Sequence, residues 1–348
     1  MNVSKYVAEE NLPVIDAMKK IDMNARGVLF ICEEGKLIGV VTDGDIRRHI
    51  LNNGDLKAPV GNIISRNPWK AVEGEDIDYR HLMKKNGITA LPIVDEDGDL
   101  VRIEFLNKKI EKSMKTLGVP VAVMAGGKGT RLKPYTQVLP KPLIPIGEKT
   151  IMEHIMDRFE NYGCNHFDII VNYKKNLIKA FFMDTEAKRD VTFFDEEEFL
   201  GTAGGLKLLS GQYTDTFFMT NCDVIIEEDY EEILKMHKKN NNIITMVCAL
   251  KNVEIPYGTV EVSSDGFVTN LKEKPRYSLM TNTGLYVIEP RFLDKIPENT
   301  FIHITDVIQT CIDEGERVGV YPISEYAWMD MGQMEEMEKM RGRLEQGL

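Results

Sequence analysis

Two rhythms of apolar residues alternate along the chain. In IMEHIMDRFENY (151–162) apolar side chains fall at 151, 152, 155, 156, 159 and 162. That spacing marks one face of a helix, and Gly163 follows it as a C-cap. VPVAVM (119–124), HFDIIV (166–171), VTFF (191–194), TFFMTN (216–221) and IITMVCAL (243–250) are instead short, nearly continuous apolar runs. Runs of this length read as buried strands. LIKAFF (177–182) lies in a helix, and a further helix is expected over 229–239. Shorter β segments follow at YGTVEV (257–262), GLYVI (284–288) and VGVYPI (318–323). The alternation predicts an α/β domain around a mixed, mainly parallel sheet over 119–348.

The first 110 residues carry a different pattern. VLFICEEGKLIGVV (28–41) and LPIVDEDGDLVRIE (91–104) each read as strand, acidic-Gly turn and strand, and a shift of 63 superposes Gly35 on Gly98. These are hairpin signals. A helical segment precedes each copy, Val14 to Asp22 and Ile77 to Lys85. Neither unit buries its apolar face alone, so the two are expected to pack together as a small α+β domain. Residues 111–118 are read as a linker, within the charged stretch NKKIEKSMKTLG (107–118).

Composition narrows the function. A net charge of −12 argues against general nucleic-acid binding. Five scattered cysteines without a C-x-x-C argue against a disulfide framework and a zinc site. The first twenty residues lack a signal-peptide run, and no stretch reaches the length of a membrane helix. A cytoplasmic protein, without nucleic-acid or membrane partners, is expected.

The chemistry concentrates in MAGGKGTRLKPYTQVLPKPLIPI (124–146). A P-loop needs Gly-Lys followed by Ser or Thr, and here Gly129 follows Lys128. A dinucleotide fingerprint needs a third glycine where Leu132 stands. What remains is a strand ending in a glycine turn, where backbone N–H groups can approach phosphate, with Lys128 and Arg131 adding charge.

This segment resembles the signature of the sugar-1-phosphate nucleotidyltransferases, and the likeness extends over 119–340. It implies a Rossmann-like nucleotide-diphospho-sugar transferase fold, Mg2+, and transfer of a nucleotidyl group to a sugar 1-phosphate with release of pyrophosphate. By that resemblance Ala125, Gly126, Gly127, Lys128, Gly129 and Thr130 hold the nucleotide, and Arg131 stabilises the triphosphate. Lys141, in Pro-Lys-Pro, contacts phosphate at the reacting centre. TFFMTNCDV resembles the strand end whose aspartate, Asp223, binds magnesium, although Cys222 replaces the usual glycine. Asp330, in WMDMG (328–332), joins it on the metal. In KEKP (272–275) Glu273 meets sugar hydroxyls and Lys274 the sugar phosphate. Asn282 and Thr283, in NTGLYV, and Tyr257 and Gly258 line the sugar pocket. Leu200, Gly201 and Thr202, in FLGTAGG, lie over the base. The acidic run DEEE (195–198) before them reads as a solvated loop, and the six histidines as structural.

LIGVVTDGDIRR (37–48) resembles a cystathionine-β-synthase (CBS) motif, so the N-terminal half resembles a CBS pair. Such pairs often bind adenine nucleotides, here through Thr42 and Asp45. Thr42 and Asp45 equally suit a helix N-cap, and the half equally suits an oligomerisation module. In the second copy Phe105 and Lys108 break the pattern. A CBS pair fused to such a transferase resembles a bacterial subfamily of legionaminic-type sugar pathways, which implies GTP, glucosamine 1-phosphate and a homo-oligomer. Mannose or another hexose 1-phosphate, a uridylyl- or thymidylyltransferase, and a regulatory nucleotide-binding protein with a weakened transferase domain are the alternatives.

Overall fold

The computed structural model describes residues 3–24, 26–75, 77, 79–86, 88–105, 116–184 and 189–345. Most of the expected linker lies outside the described residues. The chain divides into two compact units, Met1–Glu111 and Lys112–Leu348.

The first unit holds two three-stranded sheets. One comprises β1 (Val7–Ala8), β2 (Val28–Glu33) and β3 (Lys36–Thr42), with α1 (Val14–Asn24) and α2 (Asp43–Leu51). The other comprises β4 (Ala71–Val72), β5 (Ala90–Val94) and β6 (Leu100–Phe105), with α3 (Tyr79–Asn86). Both predicted hairpins form, β2 with β3 and β5 with β6. Their turns meet, since Leu37 N–H donates to Gly98 O and Leu100 N–H to Gly35 O. Val28, Phe30 and Ile103 are buried in one cluster spanning both hairpins. The apolar faces of the two repeats therefore cover each other, which neither could do alone.

At the start of α2, Thr42 and Asp45 form a capping box. Asp45 N–H donates to Thr42 Oγ1 at 3.3 Å, Thr42 N–H to Asp45 Oδ2 at 2.8 Å, and Arg48 closes on Oδ1 at 2.5 Å. This is the helix-cap geometry, and it occupies both side chains. A cavity of about 670 Å³ opens at the other end of β2, between Val7, Glu9, Lys20, Cys32 and Gly35. Thr42 pairs with Val28, at the opposite end of that strand.

The second unit is built on a seven-stranded sheet, in the order β11-β10-β7-β12-β17-β14-β18. These strands are β7 (Val121–Ala125), β10 (His166–Val171), β11 (Asp190–Asp195), β12 (Phe217–Asn221), β14 (Ile244–Glu254), β17 (Arg276–Ile288) and β18 (Val318–Ser324). All run parallel except β17, which is antiparallel to both its neighbours. Val121, Val123 and Ala125 face one core and Ala122 and Met124 the other. Both faces are covered, which is why the strands read as continuous apolar runs. The covering helices are α5 (Ile151–Glu160), α6 (Lys175–Asp184), α8 (Tyr230–Asn240), α9 (Ile304–Asp313) and α10 (Met334–Glu345), with short α4 (Tyr135–Val138) and α7 (Gly201–Gly204) in the loops. Helix α5 begins with a Thr150–Glu153 capping box and buries Ile151, Met152, Ile155, Met156 and Phe159, the predicted stripe. Three small ribbons complete the unit: β8 (Pro145–Ile146) with β9 (Lys149–Thr150), β13 (Val224–Ile226) with β19 (Trp328–Asp330), and β15 (Thr259–Val262) with β16 (Val268–Lys272). Among the described residues no helix is long and apolar enough to cross a membrane.

Candidate active site

The site lies at the carboxyl ends of β7 and β12. Chain order reverses around β7, which sits between β10 and β12. Open α/β sheets leave a crevice at such a switch point. The glycine loop leaves β7 there. Gly129 has φ +60°, and a Cβ on it would sit 2.8 Å from Thr136 Cγ2. Glycine is required at 129 on both counts. Thr136 Oγ1 donates to Gly129 O at 2.9 Å, and buried Leu132 anchors the following 3-10 turn. This scaffold leaves Gly127, Lys128, Thr130 and Arg131 exposed along the loop.

Three further charged groups converge on it. Lys141 follows Pro140 in a short turn whose Pro142 and Leu143 are buried, and its Nζ forms an ion pair with Asp223. Asp223 stands two residues past Asn221, the end of β12, and its carbonyl accepts from Met331 N–H at 2.9 Å. The β13–β19 ribbon sets Val224 opposite Asp330, so the two aspartates are brought together over a separation of more than a hundred residues. Burial pushes the Asp330 carboxyl up to about 6; the Asp223 charge adds to this, while Lys141 and Arg131 oppose it. A Cβ at Gly332 would sit 3.0 Å from Asp330 Oδ2, so the position leaves the carboxylate room. Two crowded carboxylates, one kept from easy ionisation, match the donor set that a divalent cation relieves. Asp223 and Asp330 would hold it.

A second group gathers at the base of the β15–β16 hairpin. A Cβ on Gly258 would lie 3.0 Å from Glu273 Oε2, so Gly258 and Glu273 are neighbours. Tyr257 and Lys274 adjoin them and are exposed, and Lys274 has φ +44°. Asn282 donates to Tyr286 OH at 2.6 Å and accepts from Gly284 N–H. Thr283 is buried, and its hydroxyl donates to Val247 O at 2.7 Å. Its side chain is spent on joining β17 to β14.

One residue escaped the sequence reading. The acidic run was expected to be solvated, yet Glu196 is only 3% exposed. Asp195 does follow the expectation, exposed and paired with Lys175 and Lys179. Glu196 turns inward against the glycine loop instead: a Cβ on Gly126 would overlap its Oε2, and one on Gly205 its Oε1. Burial pushes its carboxyl up to about 7, against a single 3.4 Å hydrogen bond from Leu200 N–H. The available signal was an acidic residue immediately before a glycine-rich turn. Gly201 (φ +79°) lets that turn pack on the chain behind it, where a Cβ would stand 2.5 Å from Ile302 O. Thr202 Oγ1 accepts from Ile304 N–H at 3.0 Å, clasping the same segments together.

Comparison with known proteins agrees with this frame. The nucleotidyl transferase family model matches residues 121–347. The chain belongs to that family. A CBS domain model matches residues 1–52. Among curated relatives, the mannose-1-phosphate guanylyltransferase catalytic subunit beta of Xenopus tropicalis is 31% identical over 219 residues, covering 61% of this chain and 60% of its own. The UTP–glucose-1-phosphate uridylyltransferase of Synechocystis sp. is 28% identical over 233 residues, with 61% and 60% covered. The chain thus spans about three fifths of the length of the curated relatives it matches. Among solved structures, HddC from Yersinia pseudotuberculosis complexed with GMP-PN superposes with a TM-score of 0.51 at 22% identity, covering 65% of this chain and 99% of that one. UDP-glucose pyrophosphorylase complexed with UDP-glucose gives 0.52 at 18% identity, with 66% and 99% covered. These likenesses show the Rossmann-like fold of the nucleotidyl transferase unit.

The unit's other candidate groups have structural surroundings. Cys222 is buried, and burial pushes its thiol up to about 12, so it is an inert small filler where the family pattern has glycine. His154 bonds Ile146 O at 2.8 Å, and buried His237 sits between Thr245 and Glu289.

Proposed function

We propose that this nucleotidyl transferase moves GMP from GTP to a sugar 1-phosphate, with glucosamine 1-phosphate the first choice, releasing pyrophosphate. The observation that carries the reaction type is the meeting of Lys141, Asp223 and Asp330 beside the Arg131 loop. Nucleotidyl transfer needs positioning and charge neutralisation rather than a covalent intermediate. In this reading the loop N–H groups and Arg131 bind the triphosphate. Lys141 holds phosphate oxygens at the reacting centre, and Glu273 and Lys274 hold the sugar phosphate. One oxygen of that phosphate attacks the α-phosphorus in line, and the bond to pyrophosphate breaks. A phosphate monoester is already largely ionised near neutral pH, so no general base is required. Magnesium bound at Asp223 and Asp330 would supply further neutralisation of phosphate charge.

Glu196 supports guanine. A carboxylate is an acceptor, and it has two oxygens to offer. The guanine edge presents N1–H together with N2–H2, whereas uracil presents one donor. Glu196 has spare accepting capacity beside the loop that would carry the phosphates. Mannose 1-phosphate is the second choice, favoured by relatives such as the Xenopus tropicalis enzyme. An adenine nucleotide at the N-terminal unit belongs to the same proposal.

The test mixes full-length protein and magnesium with each nucleoside triphosphate and a panel of sugar 1-phosphates. Pyrophosphate release is measured, and product mass identifies the pair. Release with GTP and glucosamine 1-phosphate is expected. Release only with UTP or dTTP would overturn the guanine assignment, and none with any pair would overturn the activity.

A further inference from the structure

The segment that leaves β10 grips the glycine loop by its backbone. Tyr173 N–H donates to Gly126 O at 3.3 Å, where the loop begins. The Tyr173 hydroxyl donates to Thr136 O at 3.3 Å, within α4. The Lys174 ammonium donates to Gln137 O at 2.5 Å and to Val138 O at 2.7 Å, the last two carbonyls of that helix. Carbonyls at a helix end lack partners inside the helix, and a cation is a strong donor to them. The same ammonium lies 5.4 Å from the centre of the Tyr173 ring, which helps to hold it. Lys175 and Lys179, just beyond, pair with Asp195 instead.

Side-chain packing does little to place α4. Tyr135 is 44% exposed and Val138 73%, Leu139 after them is exposed as well, and Thr136 is the buried residue of the helix. So short a helix does not persist on its own propensity. The bonds from Tyr173 and Lys174 therefore carry much of its placement, and they start from β10, which is paired on both sides within the sheet. That placement matters at both ends. Arg131 stands four residues before α4, and Lys141 three residues after it. Thr136 Oγ1 donates to Gly129 O at 2.9 Å, so a shift of α4 passes to the glycine turn. Lys174 also holds φ +51°, a left-handed backbone that is costly for a residue with a Cβ. Strain of this kind persists where surrounding contacts impose it, and it gathers at functional sites.

We infer that Lys174 is a positioning residue for the transfer, a latch that sets the loop so that Arg131 and Lys141 meet the phosphates together. The inference rests on the reading of that loop as the triphosphate site. Lys174 acts through the α4 backbone, since its ammonium is spent on the two carbonyls. Misplacing a catalytic group by about 1 Å can cost roughly a hundredfold in rate. The sugar-side group hangs on different strands: Glu273 and Lys274 follow β16. Loss of the latch therefore weakens the hold on the triphosphate and spares the hold on the sugar 1-phosphate.

The test titrates full-length protein and magnesium with inorganic tripolyphosphate, followed by calorimetry. Lys174→Asn removes the ammonium and keeps a residue that tolerates the left-handed backbone. It should weaken tripolyphosphate binding about tenfold, as loss of a hydrogen bond from a charged donor does, with an unchanged thermal midpoint. Lys174→Arg retains donors for both carbonyls and should stay within about threefold of wild type. In turnover of the substrate pair found by the panel above, Lys174→Asn should raise the KM for the nucleoside triphosphate and leave that for the sugar 1-phosphate within about twofold. Wild-type affinity for tripolyphosphate in Lys174→Asn would overturn the inference. So would equal rises in both KM values with a lower midpoint, or an arginine variant as weak as the asparagine one, since either makes Lys174 a staple of the fold alone. A wild type that does not bind tripolyphosphate would overturn the triphosphate-site reading, and the latch with it.

Discussion

Replacing Glu196 by Gln should make the second unit more stable, and increasingly so as pH rises. The side chain keeps its shape, but the buried ionisable group is gone. In the folded chain burial holds the carboxyl up at about 7, above its ordinary value of 4.5. Between those values the folded state keeps a proton that the unfolded state has released. Wild-type stability therefore falls as pH rises through that window, and the loss is complete above the folded value. The glutamine variant does not titrate, so the gap between the two proteins widens by the amount the wild type loses. Linkage gives an advantage for the variant of about 1 kcal/mol at pH 5 and about 3 kcal/mol at pH 8.5. The assay is guanidinium unfolding at the two pH values, followed by tryptophan fluorescence. The chain has two tryptophans, Trp69 and Trp328, so a Trp69→Phe background leaves a reporter in the second unit alone. An equal gap at both pH values would refute the burial argument. A variant less stable at pH 8.5 would show that the carboxylate has a cationic partner. On the functional side, the same variant should lower kcat/KM for GTP more than for UTP, since one acceptor becomes a donor.

Asp223→Asn should cut turnover at least a hundredfold with little change in unfolding midpoint, because it removes both an acidic ligand and the Lys141 pair; near-normal steady-state rates would remove it from the site. Gly201→Ala should destabilise the second unit by about 2 kcal/mol or more, from its positive φ and the approach to Ile302 O, with a matching drop in thermal midpoint. Asp45→Ala should cost the first unit about 1 kcal/mol through loss of the α2 capping box, read by calorimetry. Titration of AMP or ATP into wild type should raise the first unit's melting temperature, and a flat titration would leave that unit without an adenine nucleotide.

Much of this architecture was legible one segment at a time. The helix at 151–162 has both its signals in sequence, the 3.6-residue stripe and a Thr150–Glu153 box. The buried strands show as unbroken apolar runs because both faces of the sheet are covered. The site was less evenly visible. Arg131 and Lys141 stand near each other in the chain, so a local reading reaches both. Asp223 and Asp330 meet only through the β13–β19 ribbon, and their pairing was expected from resemblance rather than from spacing. Thr42 and Asp45 suit both a ligand site and a helix N-cap in sequence, and the structure shows them forming the α2 capping box.

Glu196 draws the clearest line. In sequence it is one of four consecutive acids and indistinguishable from its neighbours. Only the tertiary structure decides that Asp195 reaches two lysines while Glu196 turns under the glycine loop. The β15–β16 hairpin differs in the same way: its alternation is plain in TVEV, but only the fold shows that nothing within the described chain covers its valines. Local pattern determines strand, helix, turn and the chemistry of a glycine loop, because those depend on neighbours within a few residues. Which carboxylate is buried and which apolar face is left open depend on segments distant in the chain, and tertiary packing alone sets them.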